Sequence, residues 1–172
     1  CRTGAADETA LRDRLELATD ANGIGVWEHL SDEGRIVWNG PMFRLFGVDP
    51  ADFSGRTEDF TSRLHPEDRE HTLRQHRAAL RHTGDSEYSF RIIRPDGAVR
   101  RLLARARVVE RHADGTARRV LGINQDITEL VAARERAEAA ESRLMAAVEA
   151  LPDGFVIYDR DDRLVLCNRR YR

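Results

Sequence analysis

Gly122-Ile123-Asn124-Gln125-Asp126-Ile127-Thr128 is the stretch in which strand-type residues give way to helix-type residues, and its reading decides the fold. On its N-terminal side, residues 118–125 are rich in Val, Leu and Ile and bounded by turn residues, as a β-strand requires. On its C-terminal side, an Ala/Glu/Arg-rich segment repeats Leu130, Ala137, Leu144 and Leu151 at intervals of seven. Between the two, Asp126 is placed to accept a hydrogen bond from the amides that open a helix. Glu129, three residues on, is placed to reach back to the Asp126 amide, an acidic variant of the capping box. A strand therefore passes into a helix with almost no slack.

Ala133, Ala140 and Ala147 follow three residues after Leu130, Ala137 and Leu144 and complete a narrow seam of period seven. Such a seam suits pairing with a second helix, and its many alanines keep the apolar area small. The alternative is a solvated, Ala-rich helix packed on its own domain. A repeat sustained over about three heptads favours the intermolecular seam.

Composition narrows the function classes. The chain has 172 residues and a formal net charge of −2, so it holds one domain and an appendage and has no general attraction to nucleic acid or anionic membrane. Every one of its 28 basic residues is Arg. No apolar run approaches membrane-spanning length and no signal-peptide pattern opens the sequence. With Cys1 and Cys167 the only cysteines, neither a disulfide framework nor a zinc cluster is available, which fits a reducing cytoplasm. The sequence begins without Met and stops in mid-pattern at Arg172, as a piece of a longer protein would.

Working back from the junction, Asp96-Gly97 and Asp114-Gly115 each sit between β-type runs, so residues 88–94, 99–111 and 118–127 read as a three-strand meander. Tyr88, Phe90 and Ile92 alternate with Glu87, Ser89 and Arg91, giving one apolar face. Further upstream, residues 8–21 form a lead-in helix with Leu11, Leu15 and Ala18 at helical spacing. Residues 24–30 and 35–38 form a hairpin across Ser31-Asp32-Glu33-Gly34. Asn39 caps the next helix, with Pro41 in its first turn and Gly47 at its end, and His65-Pro66-Glu67-Asp68 opens another within the helical, polar stretch 51–83. Two strands, several helices, three strands and an exit helix make an α+β domain on an antiparallel sheet.

The run Gly25-Val26-Trp27, Trp38-Asn39, Phe43-Arg44-Leu45-Phe46-Gly47, His65-Pro66-Glu67-Asp68, Phe90-Arg91-Ile92, Arg94-Pro95-Asp96-Gly97 and Gly122 through Asp126-Ile127-Thr128 resembles a PAS domain with its C-terminal PAC segment, over residues 14–128. The resemblance implies a five-stranded antiparallel sheet with helices inserted between its second and third strands. It further implies a central cleft, dimerisation through flanking helices, and Asp126 and Thr128 as organisers of the sheet-to-helix junction.

Aligning Arg14-Leu15 with Arg143-Leu144 without gaps pairs Ala18 with Ala147, Gly25 with Gly154, Asp32 with Asp161 and Asn39 with Asn168. Such repeats mark tandem copies of one unit. The organisation expected is a lead-in helix over 1–22, a PAS/PAC domain over 23–128, a coiled-coil linker over 129–151, and the start of a second PAS domain over 152–172. Leu144 and Ala147 then serve both the seam and the entry of the next domain. Pro152 to Arg172 lacks the helices and meander of a full domain and must pair with something else if it is ordered.

The cleft candidates are Trp27, Trp38, Phe43, Phe60, Phe90 and Asn124, for most of which core packing is the preferred role. The photosensors of the same fold carry a reactive Cys in the helical insertion; residues 58–65 have none, which excludes a thiol-adduct photocycle. Asn124 falls where those photosensors place a Gln against a flavin, although bonding to backbone or water is the preferred reading. His71 and His76 fall where a haem ligand would come from, but their polar neighbours favour the surface. His65 belongs to the helix start, and His29, His82 and His112 are expected at the surface. No cofactor is therefore expected, with non-covalent flavin and haem as disfavoured alternatives. Arg101, Arg105, Arg107 and Arg111 form a ladder read as solvated or dimer-facing rather than a nucleic-acid stripe. No phosphate loop, nucleophile triad or carboxylate pair emerges, so the segment itself is not read as an enzyme.

The function expected is a sensory and dimerisation module of a bacterial-type signalling protein, a two-component sensor histidine kinase before a cyclic-dinucleotide enzyme, or else a ligand-free scaffold. Its partners are a second copy, a downstream PAS domain and an output domain, with neither nucleic acid nor membrane.

Overall fold

The computed structural model describes residues 2–81 and 85–171, without the side chains of residues 2–8, 11, 12 and 79. The expectations for Cys1, the Leu11 side chain and His82 lie outside the described residues. The chain forms two compact units, Cys1–Thr128 and Glu129–Arg172.

The first unit runs α1 (Arg2–Ala21), β1 (Gly25–Leu30), β2 (Arg35–Trp38), α2 (Gly40–Phe46), α3 (Thr57–Thr61), α4 (Pro66–Arg81), β3 (Ser86–Ile93), β4 (Val99–Arg111) and β5 (Ala117–Asp126). The five strands make one antiparallel sheet in the order β2-β1-β5-β4-β3, so the last strand enters the middle and pairs with the first. That insertion places Gly122 opposite Trp27 and Asn124 opposite Gly25. One face of the sheet carries the core, with Phe46, Met42, Leu64, Ile92, Leu102 and Val120 fully buried.

Local chemistry explains the element ends. Asn39 caps α2, its side-chain oxygen accepting from the Met42 amide at 3.1 Å and from the Val26 amide at 2.8 Å, so one amide fixes helix and hairpin together. The Arg94 guanidinium, brought by the β3–β4 turn, donates to the carbonyls of Leu45 (2.7 Å) and Arg44 (3.1 Å) at the other end of α2. Gly122 is required by close approach, because a Cβ there would land inside the Trp27 indole.

The His65-Pro66-Glu67-Asp68 start is tied to the sheet by Arg91. Its guanidinium donates to both Asp68 oxygens (2.6 and 3.0 Å) and to Glu67 (2.8 Å), while its amide donates to Asp68 Oδ2 at 2.8 Å. The hydrogen bonds from Arg91 hold the Asp68 carboxyl down at about 2, against its ordinary 3.8. A carboxylate with a depressed folded value stabilises fully above its unfolded value and loses that contribution as pH falls toward the folded one. The accessible setting limits the contribution to about 1 kcal/mol. Urea melts between about pH 4 and pH 2 should show this loss, and Asp68→Asn should remove it; an identical slope in the variant would refute the assignment.

The second unit is α5 (Thr128–Glu149, whose first residue belongs to the first unit), β6 (Val156–Tyr158) and β7 (Leu164–Cys167), with β6 and β7 forming their own two-stranded sheet. Its centre is Asn168, 0% exposed. Asn168 Oδ1 accepts from the Phe155 amide (2.8 Å) and the Tyr171 amide (3.2 Å), and Nδ2 donates to the Asp153 and Val148 carbonyls (2.8 and 3.3 Å). Shifting the Asn39 node by 129 positions takes Asn39 to Asn168, Val26 to Phe155, Met42 to Tyr171 and Ile24, whose carbonyl accepts from Asn39 Nδ2, to Asp153. Strand register follows the same shift over two pairs, Trp27↔Trp38 becoming Val156↔Cys167 and Glu28↔Val37 becoming Ile157↔Leu166, before an irregularity at Tyr158. The sequence repeat is thus also a repeat of hydrogen bonds. Val148, rather than Leu144 or Ala147, is the buried residue of α5, and its carbonyl accepts from Asn168 Nδ2 while the Glu149 carboxylate beside it accepts from the Arg169 amide.

Candidate functional site

Two places in the first unit carry polar chemistry that its packing does not explain: the β5–α5 junction and a cavity under α4.

At the junction, Asp126 is still in β5, opposite Leu102 of β4. Its Oδ1 accepts from the Thr128 amide at 2.9 Å and from the Thr128 hydroxyl at 2.5 Å. The same Thr128 oxygen accepts from the Arg101 amide at 2.8 Å, and the Ile127 amide donates to the Arg101 carbonyl at 2.9 Å. Thr128, the first residue of α5, is therefore tied to β4 through its hydroxyl and to β5 through Asp126, and Ile127 before it adds a second bond to β4. The reciprocal capping box does not form. With the helix starting at Thr128, Asp126 lies one residue too early to serve as the cap, and Glu129 is exposed, with no hydrogen bond among the described residues. Arg101 is the junction residue that sequence reasoning missed: it contributes backbone groups, which no side-chain pattern reveals.

Beyond the junction the seam is unburied. Leu130 is 70% exposed and Leu144 59%, Leu151 is also exposed, and so are Ala133, Ala137, Ala140 and Ala147.

The cavity has a volume of about 40 Å³ and is lined by Trp27, His29, Ile36, Trp38, Met42, Thr57, Phe60, His76, Tyr88, Phe90 and Asn124. Trp27 Nε1 donates to Asn124 Oδ1 at 3.2 Å, so the Asn124 oxygen accepts from a side chain of the cavity wall. Five of the six cleft candidates meet here. Phe43 does not: it packs edge-on against both Trp38 (5.6 Å between ring centroids) and Phe53 (5.2 Å), which themselves stack on each other at 4.5 Å.

Two histidines expected at the surface line the cavity instead. His76 shares a 3.2 Å hydrogen bond with the Tyr88 hydroxyl, and His29 Nδ1 is buried without a partner among the described residues. Burial, and secondarily the nearby His29, lowers the His76 value from 6.5 to about 4; burial also lowers His29 and raises the Tyr88 phenol. The signals were present in the sequence. Thr72, His76 and Leu80 recur every four residues and mark one stripe of α4, whereas the polar neighbours Gln75 and Arg77 lie on its other faces. Gly25, Trp27 and His29 alternate onto one strand face. His71 is exposed, as expected.

The lining residues do not fit a porphyrin or a flavin. A drug-sized ligand takes roughly 300–1,000 Å³, far more than this cavity of about 40 Å³. Among the described residues no group of three or more His, Cys, Asp or Glu stands ready for a metal, and no helix is long and apolar enough to cross a membrane. The Arg ladder is largely committed: Arg105 pairs with Glu87, Arg107 with Asp85, and Arg111 donates to the Leu80 and Gly115 carbonyls.

An antiparallel sheet in this order, with helices gathered between its second and third strands and a small, partly polar cavity beneath them, defines a single-sheet sensory module. The chain belongs to the PAS family: the PAS-fold profile matches residues 35–124, and a PAS-domain profile matches residues 142–172. It is 33% identical over 163 residues to the non-motile and phage-resistance protein of Caulobacter vibrioides, covering 92% of this chain and 19% of that protein. It is 30% identical over 159 residues to the probable diguanylate cyclase DgcE of Escherichia coli, covering 92% of this chain and 14% of that protein. The chain thus spans under a fifth of the length of these relatives. Among solved structures, a sensory box histidine kinase/response regulator from Burkholderia thailandensis superposes with a TM-score of 0.64 at 20% identity, over 76% of this chain and 97% of that one. The PAS module is one found in signalling proteins of more than one output type.

Proposed function

We propose that this chain relays a conformational signal within a multidomain sensor histidine kinase of the cytoplasm, from the sheet through Asp126, Ile127 and Thr128 into a helix that pairs with its counterpart in a second copy. The observation that carries this reading is the Thr128 hydroxyl, which joins Arg101 of β4 to Asp126 of β5 at the first residue of α5. A shift of β4 against β5 changes that bond and so the direction in which α5 leaves, which is the two-state element a relay requires. Two further observations support it: the exposed seam from Leu130 to Leu151, and the repeated Asn node, which favours residues 152–172 as the start of a second PAS domain receiving the signal. The small cavity favours a partner domain over a large ligand as the trigger. The likeness to DgcE supports a second reading, in which the output is a cyclic-dinucleotide enzyme.

The test uses the full-length parent protein. Thr128→Val and Asp126→Ala should abolish the dependence of output on signal, read as autophosphorylation or as cyclic-dinucleotide formation, while the variant chain keeps its helical circular dichroism. Output that still follows the signal in both variants would sink the junction mechanism.

A further inference from the structure

The relay uses neither of the two imidazoles that face each other across the cavity. His29 comes from β1 and His76 from α4, and their ring centroids are 6.4 Å apart. The rings of Trp27 and Phe60 flank His76 at 6.1 and 6.2 Å. Beside the partnerless His29 Nδ1, the cavity of about 40 Å³ has room for one or two waters, each of which needs at least about 10–15 Å³.

Nothing in this setting compensates a positive charge. Among the described residues no Asp or Glu lines the cavity. Of the elements packed on α4, β4 and β5 present Ala104, Ala106, Val120 and Gly122 inward, and β3 presents Tyr88, whose phenol burial keeps neutral. Arg69, Glu70, Arg74 and Arg77 of α4 itself lie on its exposed faces, with Arg74 paired to Glu70, and at the two ends of the helix Asp68 pairs with Arg91 and the Arg111 guanidinium donates to the Leu80 carbonyl. A neutral imidazole is tolerated between aromatic walls, whereas an imidazolium needs water or a carboxylate. The closed cavity offers neither in sufficient measure, and a charge on both rings adds direct repulsion across 6.4 Å. Moving α4 off the sheet relieves both costs by hydrating the rings.

We propose that His29 and His76 form a proton-operated latch, holding α4 against the sheet while both rings are neutral and releasing it when either takes up a proton. The sign follows from the two states. With α4 lifted, the rings bind protons near the ordinary 6.5; with α4 closed, His76 binds one only near pH 4. The closed form is fully favoured above about 6.5 and loses ground as pH falls toward 4.

The test is a pH series on the 172-residue chain, following the imidazole resonances and the exchange protection of the Pro66–Arg81 amides together. Protection of α4 should fall by up to about tenfold per pH unit below the ordinary His value, one differentially bound proton being worth that factor. The β3–β5 amides should keep theirs. His76→Phe and His29→Leu should each flatten the fall. The latch is overturned if α4 protection in the wild-type chain is constant through this range, or if both rings titrate near 6.5 with α4 in place. It is overturned equally if the two variants fall as the wild type does; should a variant not fold, the wild-type titration alone decides.

Discussion

Trp27→Ala is expected to destabilise the first unit by about 3–5 kcal/mol, the range for truncating a buried large aromatic. Trp27 is 8% exposed, its indole lies over the bare backbone of Gly122, and its Nε1 is the donor to Asn124 Oδ1. Truncation therefore opens a void continuous with the existing cavity and strips a hydrogen bond from an amide that is 2% exposed. Gly122→Ala attacks the same contact from the other side and should cost about 1–3 kcal/mol by overpacking. The two changes should not add. Once the indole is gone the new methyl meets no ring, so the double variant should be more stable than the sum of the single effects predicts, by about 1 kcal/mol or more. Urea denaturation followed by circular dichroism gives the full cycle, and strict additivity would show that Gly122 is needed for something other than the Trp27 ring.

Asn168→Ala is expected to cost the second unit at least about 2 kcal/mol and with it the order of the β6–β7 hairpin. The side chain makes four hydrogen bonds in a fully buried position, and its loss leaves the amides and carbonyls it served without partners. A two-stranded hairpin is marginal in water, and here Val165 and Leu164 are 63% and 53% exposed, so little other burial offsets the loss. Amide exchange of Val156–Tyr158 and Leu164–Cys167 should approach unprotected rates while the five-stranded sheet is unchanged. The reciprocal variant, Asn39→Ala, should loosen β1, β2 and α2 and spare the second hairpin. Undiminished hairpin protection in Asn168→Ala would show that the repeat is one of sequence and not of mechanism.

Much of this fold is legible in the chain because its signals are local. The alternation of Tyr88, Phe90 and Ile92, the turns at Asp96-Gly97 and Asp114-Gly115, and the cap at Asn39 each depend on residues within one element or one turn. The ungapped match of residues 14–39 with 143–168 also predicts the second Asn node, since equal spacing between helix, hairpin and Asn returns the same bonds. The candidate site is less legible. The polar sequence neighbours of His76 point to the surface, yet a helix presents residues one apart on different faces, and it is Thr72 and Leu80 that share its side. His29 was hidden because one strand face is defined by alternation with Trp27, not by the polar Glu28 beside it. Phe43 and Glu129 failed in the opposite sense: each is of the right type at the right spacing, but helix rotation turns the one away from the cavity and the helix start at Thr128 leaves the other in solvent.

The sequence by itself determined the strands, the turns, the Asn39 cap, the passage from strand to helix after Asp126 and the repeat, all of which are encoded in periodicity and in side-chain bonds of a few residues' reach. Only the tertiary structure decided that β5 slots between β1 and β4, so that Trp27 meets Gly122 and Asn124 and the Thr128 hydroxyl meets the Arg101 amide. It alone brought His29 and His76 to opposite walls of one cavity. Those contacts join residues far apart in the chain, and their partners are fixed by strand order and helix rotation, which no local pattern carries.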